Sequence, residues 1–565
     1  MKDLTRLCLS ILLAGLSVQG QSAGPEPLDL TMYQRIRDEG YYGSHVMEYA
    51  SGLFDGIGPR LTGSPNLKRA HEWTRDQLAA MGCANAHLES WGEFGMGWRQ
   101  RNVWVRMTAP DAAVLIAQAA PWSPATKGVV SAALIQVELR EEGDFARYKG
   151  KLAGKVVLLG AMRDPASIDA PLLTRLDDRE LTALAQYPLD DGMNKQNFFG
   201  DDRVEQAFAR RAFDEKAGAF LASEGALAVI VASRDNGRGG NAGEILVDSN
   251  DTFGWFIYQP AHAMKVPLVV MALEHFGRLY RLTSKRVPVS IEMNVDTEFT
   301  GDHEPGYNTI AEIPAADPSA RDEVVMFGAH LDSWAAGTGA TDNGAGVIIA
   351  MEAMRILKTL GVQPRRTIRV ALWGGEEQGL LGSRGYVRQH LGTIPLSMAP
   401  EQSVVPEFLR KPGGPLTLKS EQKLVSVYFN SDSGGGRFRG MQVQENAAAV
   451  PIVKQWIEPL RDLGVTTVGQ QTSGPGDYSP FDAVGVPAFQ FIQDPLDYKT
   501  RSVHSNMDTY ERLIPADLQQ AAIVEATLVY NAAMRNEMMP RKPLPRPELF
   551  ERQAKPLPGV MPGVQ

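Results

Sequence analysis

The sequence predicts an α/β protein built on a mostly parallel, doubly wound sheet with helices on both faces. Two observations carry that expectation. From Asn308 onward, apolar strands and helices alternate: EVVMFGAH, the helix GAGVIIAMEAMRILKTLG, RTIRVALWG, LVSVYFN, a helix around Val450 to Gly464, VPAFQFI and a final helix from Pro515 to Met534. Such alternation returns each strand parallel to its neighbour through a right-handed crossover. Between about Ser123 and Asn294 the texture shifts to short apolar strands cut by Gly and Pro, such as KVVLLGA, LAVIVAS and VPLVVMA. That stretch predicts a small β-rich insert with one or two helices.

Taken in order, the chain starts with a segment that lies outside the fold. Lys2 and Arg6 precede the apolar run Leu7 to Val18, and the small residues of VQGQSA follow, the layout of a secretory signal peptide over residues 1–23. A run of twelve residues is too short to span a bilayer, which takes about 20 in a helix. The protein is therefore expected to be secreted or periplasmic, without stable membrane insertion. Of the two cysteines, Cys8 and Cys83, only Cys83 survives removal of the leader, so packing and any bound metal must stabilise the fold without an internal disulfide. Residues 24–124 carry a helical pattern at Leu67 to Met81 and the alternating strand RQRNVWVRMTA, which reads as half of a domain completed by residues 295–536, with the insert at 125–294. The last 27 residues hold seven prolines, so residues 537–565 are expected to be an extended, poorly packed tail.

Composition removes several function classes. With 44% apolar and 22% charged residues the chain is neither disordered nor fibrous. A net charge of −9 offers no positive field to gather phosphates, which argues against nucleic acid as a partner.

Chemistry-bearing residues cluster at the ends of the expected strands. EVVMFGAHLDSW stops at His330, with Asp332 two residues on, and RTIRVALWGGEEQG stops before Glu376 and Glu377. VYFNSDSGGG ends near Asp432, TGATDNGAG places Asp342 ahead of a helix, and His504 lies in RSVHSNMDT. In open α/β sheets such carboxyl-terminal loops converge on one crevice. Two imidazoles with several carboxylates form a set suited to Zn²⁺ and open to Mn²⁺ or Co²⁺. Buried acids are costly unless paired or metal-bound, which favours a shared ion over isolated side chains.

In this order, HLDSW, TDNGAG, WGGEEQGLLGS, the SD of FNSDSGG and His504 resemble the co-catalytic di-zinc exopeptidase family of aminopeptidases, glutamate carboxypeptidase and carboxypeptidase Q. GPRLTGSPNLKRA, near Gly58, is similar to the family's entry segment, and residues 125–294 are similar in texture and position to an inserted protease-associated domain. The resemblance implies two Zn²⁺ ions per chain. Asp342 would bridge them, His330 and Asp432 would complete one site, and Glu377 and His504 the other. It also implies Glu376 as the general base for an activated water, Asp332 as a catalytic partner holding His330, and a cis peptide between Asp342 and Asn343.

The chain departs from the family pattern in two places. Several members carry a Tyr just before the last His, where this chain has Val503; Tyr478 and Tyr498 are the candidates to replace it. Many aminopeptidases read SDH where this chain reads GDYSPF, so Asp477 fits the pattern and Tyr478 does not. The resulting expectation is a metallo-exopeptidase of short peptides, an aminopeptidase or dipeptidase first. A carboxypeptidase is the alternative, followed by a receptor-like ectodomain without activity or a glutaminyl-cyclase-like acyl transferase. A homodimer is left open.

Overall fold

The computed structural model describes residues 25–164, 171–186, 202–234, 243–403 and 405–544; the leader and the tail beyond residue 544 lie outside them. The main strands are β1 (Ala84–Ala109), β2 (Val130–Val137), β3 (Val156–Leu159), β4 (Ala228–Ala232), β5 (Leu268–Met271), β6 (Ser290–Ile313), β7 (Val324–His330), β8 (Thr367–Trp373), β9 (Val425–Asn430), β10 (Phe438–Gln442), β11 (Thr467–Gly469) and β12 (Ala488–Gln493). They join in one sheet in the order β11-β10-β12-β9-β7-β8-β6-β2-β3-β4-β5, with β1 paired along β6.

Pairing is parallel from β8 through β7 and β9 to β12, and again from β2 through β5. Between these blocks β6 runs antiparallel to both β8 and β2. The sheet is therefore mostly parallel, as expected, with antiparallel exceptions: β6, which is also the long partner of β1, and β10 against β12.

Strand β7 is buried along its whole length and reads as a near-continuous apolar run, as a strand covered on both faces must. Its side chains alternate between two cores. Val325, Phe327 and Ala329 join the core under helices α1 (Leu30–Tyr42), α2 (Ala345–Thr359) and α3 (Pro515–Met534), while Val324 and Met326 face a cluster containing Trp373, Tyr428 and Phe481. Helices α2 and α3 pack on each other and are apolar almost all round, the pattern of helices enclosed by the fold.

A second core gathers Trp98, Trp122, Val157, Ile230, Val269 and Val295. It draws on residues on both sides of positions 124 and 294. Residues 537–544 form no helix or strand, in keeping with the prolines, yet they are packed. Met539 is 2% exposed, and Arg541 donates to the carbonyls of Gly485, Gln422 and Val425. Here the expectation of poor packing fails, because these side chains satisfy carbonyls left open at element ends.

Candidate metal centre

The parallel register lines up three strand ends. His330 at the end of β7 pairs with Trp373 at the end of β8, and Gly328 pairs with Asn430 at the end of β9. His330, the Glu376–Glu377 pair and Asp432 therefore leave the sheet at one edge. Asp342 joins them from the irregular turn Ala340–Gly344 that leads into α2, and its peptide bond to Asn343 is cis. His504 arrives from the far end of the chain on a loop after Tyr498–Ser502, with a left-handed φ of 56°.

His330 Nε2 lies 3.4 Å from Asp342 Oδ1 and 3.7 Å from Asp432 Oδ1. His504 Nε2 lies 3.2 Å from both Asp342 Oδ2 and Glu377 Oε2. Asp342 thus offers one oxygen to each of two three-residue groups, His330–Asp342–Asp432 and Asp342–Glu377–His504.

The protons on these imidazoles are fixed from behind. His330 Nδ1 is 3.0 Å from the Asp332 carbonyl, which can only accept, so Nδ1 carries the hydrogen. His504 Nδ1 is 3.1 Å from Asp248 Oδ2, with the same result. In the neutral ring each Nε2 then presents a lone pair toward carboxylate oxygens. Asp342 Oδ2 and Glu377 Oε1 are buried and have no hydrogen-bond partner among the described residues. At this range each Nε2 and the carboxylate oxygens facing it share a cation, either a proton on the ring or a metal ion, and two imidazoles with three carboxylates are a donor set that fits metal.

The electrostatics carry the same tension. Burial pushes Glu377 up to about 7, and the Asp342 charge adds to the effect. Glu376 is raised well above its ordinary value by burial and by Asp432, Asp477 and Glu377, against the opposing pull of His330. Burial also opposes the charge on Asp342, but His330 and His504 outweigh it and hold that carboxyl below the usual range.

Three residues brace the site. Asp332 is fully buried; its Oδ1 accepts from Glu376 N at 3.1 Å, and its Oδ2 accepts from Glu377 N at 3.2 Å and Thr62 Oγ1 at 2.9 Å. Its carboxylate holds the Glu376–Glu377 turn, while its carbonyl holds His330. Arg60, 0% exposed, donates to the carbonyls of Leu331, Thr338 and Gly339, pinning the loop between His330 and Asp342. Gly339 in that loop has φ 62°, and a Cβ there would lie 2.3 Å from Ser333 Cβ, so only glycine fits. Asp508 accepts from the backbone of Thr341 and Asp342. Sequence reasoning passed over Arg60, Asp508 and Asp248; the one available signal was a charged residue inside GPRLTG.

A cavity of about 240 Å³ opens onto the cluster, lined by His330, Asp342, Glu376, Glu377, Asp432, Tyr498 and His504 together with Gly379, Leu380 and Pro475. Of the candidate substrate residues, Tyr498 lines it. Tyr478 and Asp477 do not. The Tyr478 hydroxyl is taken up by the carbonyls of Ser473 (2.7 Å) and Gly474 (2.5 Å). Asp477, 1% exposed, accepts from Ser383 Oγ at 2.5 Å, and burial raises its pKa to about 7. Arg234, outside this lining, pairs with Asp248 at 2.6 Å.

Residues 308–529 match the sequence profile of peptidase family M28. This segment is a peptidase family M28 domain. Every member of the two three-residue groups falls within it. The whole chain is similar to carboxypeptidase Q from Mus musculus, at 26% identity over 517 residues covering 91% of this chain and 90% of that protein. In fold it is similar to a peptidase M28 precursor from Shewanella amazonensis SB2B, with a TM-score of 0.60, 23% identity and coverage of 91% and 98%. A second structure of similar fold, BSAP, a zinc aminopeptidase from Bacillus subtilis, has a TM-score of 0.51 at 19% identity, covering 87% of this chain and 95% of that one. Among the described residues, no helix outside or inside the M28 domain is long and apolar enough to cross a membrane.

Proposed function

We propose that this metallo-exopeptidase removes the N-terminal residue of short peptides or splits dipeptides, after export by the leader at residues 1–23. In this reading His330, Asp432 and Asp342 hold one zinc ion, and Asp342, Glu377 and His504 hold a second. Residues 125–294, which supply much of the second core, are the inserted domain. The observation that carries the aminopeptidase direction is the cavity lining: the described residues there include four carboxylates and no Lys or Arg. With the carboxylates balanced by the two ions, the support that remains is that no basic side chain among the described lining residues is there to pair a substrate carboxylate. Three ligand carboxylates with Glu376 also carry about the charge that two dications would balance.

When bound, the two ions would acidify a water molecule and draw charge from the scissile carbonyl. Glu376, raised in pKa and facing the cavity, takes the proton of the attacking water and returns it to the departing amine. Asp332 keeps the Glu376–Glu377 turn in place through two backbone N–H groups. Tyr498 supplies a hydroxyl for the carbonyl oxygen as it gains charge, the part Val503 cannot play.

A carboxypeptidase is the second reading, favoured by the similarity to carboxypeptidase Q across nine-tenths of this chain. The two separate on a panel of free dipeptides, N-acylated peptides and C-amidated peptides, run alongside zinc analysis of the purified protein. Cleavage that requires a free amino terminus and tolerates C-amidation supports the first reading. Cleavage of N-acylated peptides with a strict need for a free carboxylate overturns it in favour of the second.

A further inference from the structure

The loop that carries His504 is held by residues far from it in sequence. Val247 N donates to the His504 carbonyl at 2.8 Å, Leu246 bridges Ser505, Ile245 N donates to Asn506 Oδ1 at 2.7 Å, and Asn506 N donates back to the Ile245 carbonyl at 3.1 Å. The 245–247 backbone thus forms a short ladder against 504–506. It fixes His504 in the left-handed region, where a non-glycine residue is uncommon and is kept only when its surroundings demand it.

The side chains repeat the arrangement. Asp248, the next residue along, is 6% exposed and places Oδ2 3.1 Å from His504 Nδ1, on the ring edge opposite the Nε2 that faces Asp342 and Glu377. Arg234 Nη2, from the same segment of the chain, lies 2.6 Å from that oxygen. His330 makes no comparable contact: its Nδ1 meets a neutral backbone carbonyl, with the nearest carboxylate oxygen at 3.7 Å. The two imidazoles therefore differ in what stands behind them.

We propose that Asp248 is a positioning residue for His504. Its carboxylate sets the His504 tautomer, aims Nε2 and raises the basicity of the ring, so that a segment outside the M28 domain tunes one half of the metal centre. This rests on the reading that His504 is a zinc ligand. A carboxylate behind a ligating imidazole strengthens the metal bond, and losing such a partner typically costs 10- to 100-fold in affinity. The asymmetry between the imidazoles confines that loss to the ion held by His504.

The test is zinc affinity, measured by competition with a chromophoric chelator on the full mature protein, for wild type, Asp248→Asn and Asp248→Ala. Thermal unfolding of the zinc-free forms identifies variants that fold. The expected result is two bound ions in wild type and loosening of only one in the variants, by about tenfold or more in Asp248→Ala. Asp248→Asn keeps an acceptor for Nδ1–H without the charge and should lie between the two. Wild-type affinity at both sites in either folded variant overturns the proposal, as does equal weakening of both ions. A wild-type protein that binds no zinc would sink the metal-centre reading and this inference together, whereas two tight ions unaffected by substitution would sink the inference alone.

Discussion

Asp508 holds Asp342 by its backbone. Asp508 Oδ2 accepts from Asp342 N at 3.0 Å, and its Oδ1 accepts from Thr341 N at 2.7 Å and Thr341 Oγ1 at 2.8 Å. The residue shared by the two ligand groups thus owes its position to a buried carboxylate 166 residues away. Burial and the Asp342 charge raise Asp508 to about 7, against the pull of the Thr341 and Asp342 hydrogen bonds.

Asp508→Ala should therefore leave two buried N–H groups without their acceptor. A destabilisation of about 1–3 kcal/mol is expected, with zinc lost more readily on dialysis against chelator. Thermal unfolding of zinc-free protein and metal analysis of dialysed protein are the measurements. A variant that matches wild type in both would show that the turn holds itself.

Glu376→Gln should keep zinc content at the wild-type level and lower kcat by about 10²–10⁴, the range for loss of a general base. Its backbone N–H, the group that Asp332 holds, is untouched by the substitution. Single-turnover kinetics with metal analysis on the same sample decide it, and retained turnover would remove Glu376 from the proton path.

The two tyrosines should behave differently. Tyr498→Phe removes the only hydroxyl of the pair that lines the cavity and should lower kcat by about 10²-fold with little change in KM. Tyr478→Phe removes a hydroxyl already bonded to Ser473 and Gly474, so its cost should appear in stability, at about 1 kcal/mol, and not in kcat. Steady-state kinetics of both variants give the comparison; equal effects on kcat would contradict the assignment.

Glu525 sets a pH dependence of stability. It is 0% exposed on α3, and neither carboxyl oxygen has a hydrogen-bond partner among the described residues. Burial drives its pKa well above the ordinary glutamate value. The unfolded chain loses this proton at about 4.3 while the folded chain keeps it, so the folded state binds more protons and stability falls as pH rises above the unfolded pKa. Each pH unit in that window costs about 1.4 kcal/mol until the folded group ionises. Glu525→Met should be more stable than wild type at pH 8, with the difference shrinking toward pH 4. Urea unfolding at several pH values tests this, and parallel wild-type and variant curves would refute it.

His330, Asp342, Glu376, Glu377 and Asp432 were legible because each sits near the end of an apolar run or ahead of a helix, features that local sequence encodes, whereas His504, in a loop, was legible only as the last member of the ordered motif set. Asp508 and Asp248 were not. Their partners lie 166 and 256 residues away, and one sequence carries no trace of such contacts. Tyr478 looked like a site residue because it follows Asp477, but the short helix Tyr478–Ala483 turns its hydroxyl back onto Ser473 and Gly474. The parallel run of the sheet was legible in the alternation of strands and helices, whereas the antiparallel direction of β6 against β1, β8 and β2 was not. The prolines near the C-terminus foretold an extended backbone, but not that Arg541 would find three carbonyls.

The ladder of β1 with β6 runs from Ala84↔Glu312 to Ala109↔Ser290, bordering one core at its first end and the other at its last. A pair of hydrogen-bonded strands resists bending far more than a single linker, so this ribbon acts as a beam between the two halves. In this chain the two cores are joined by paired strands and not by a single linker.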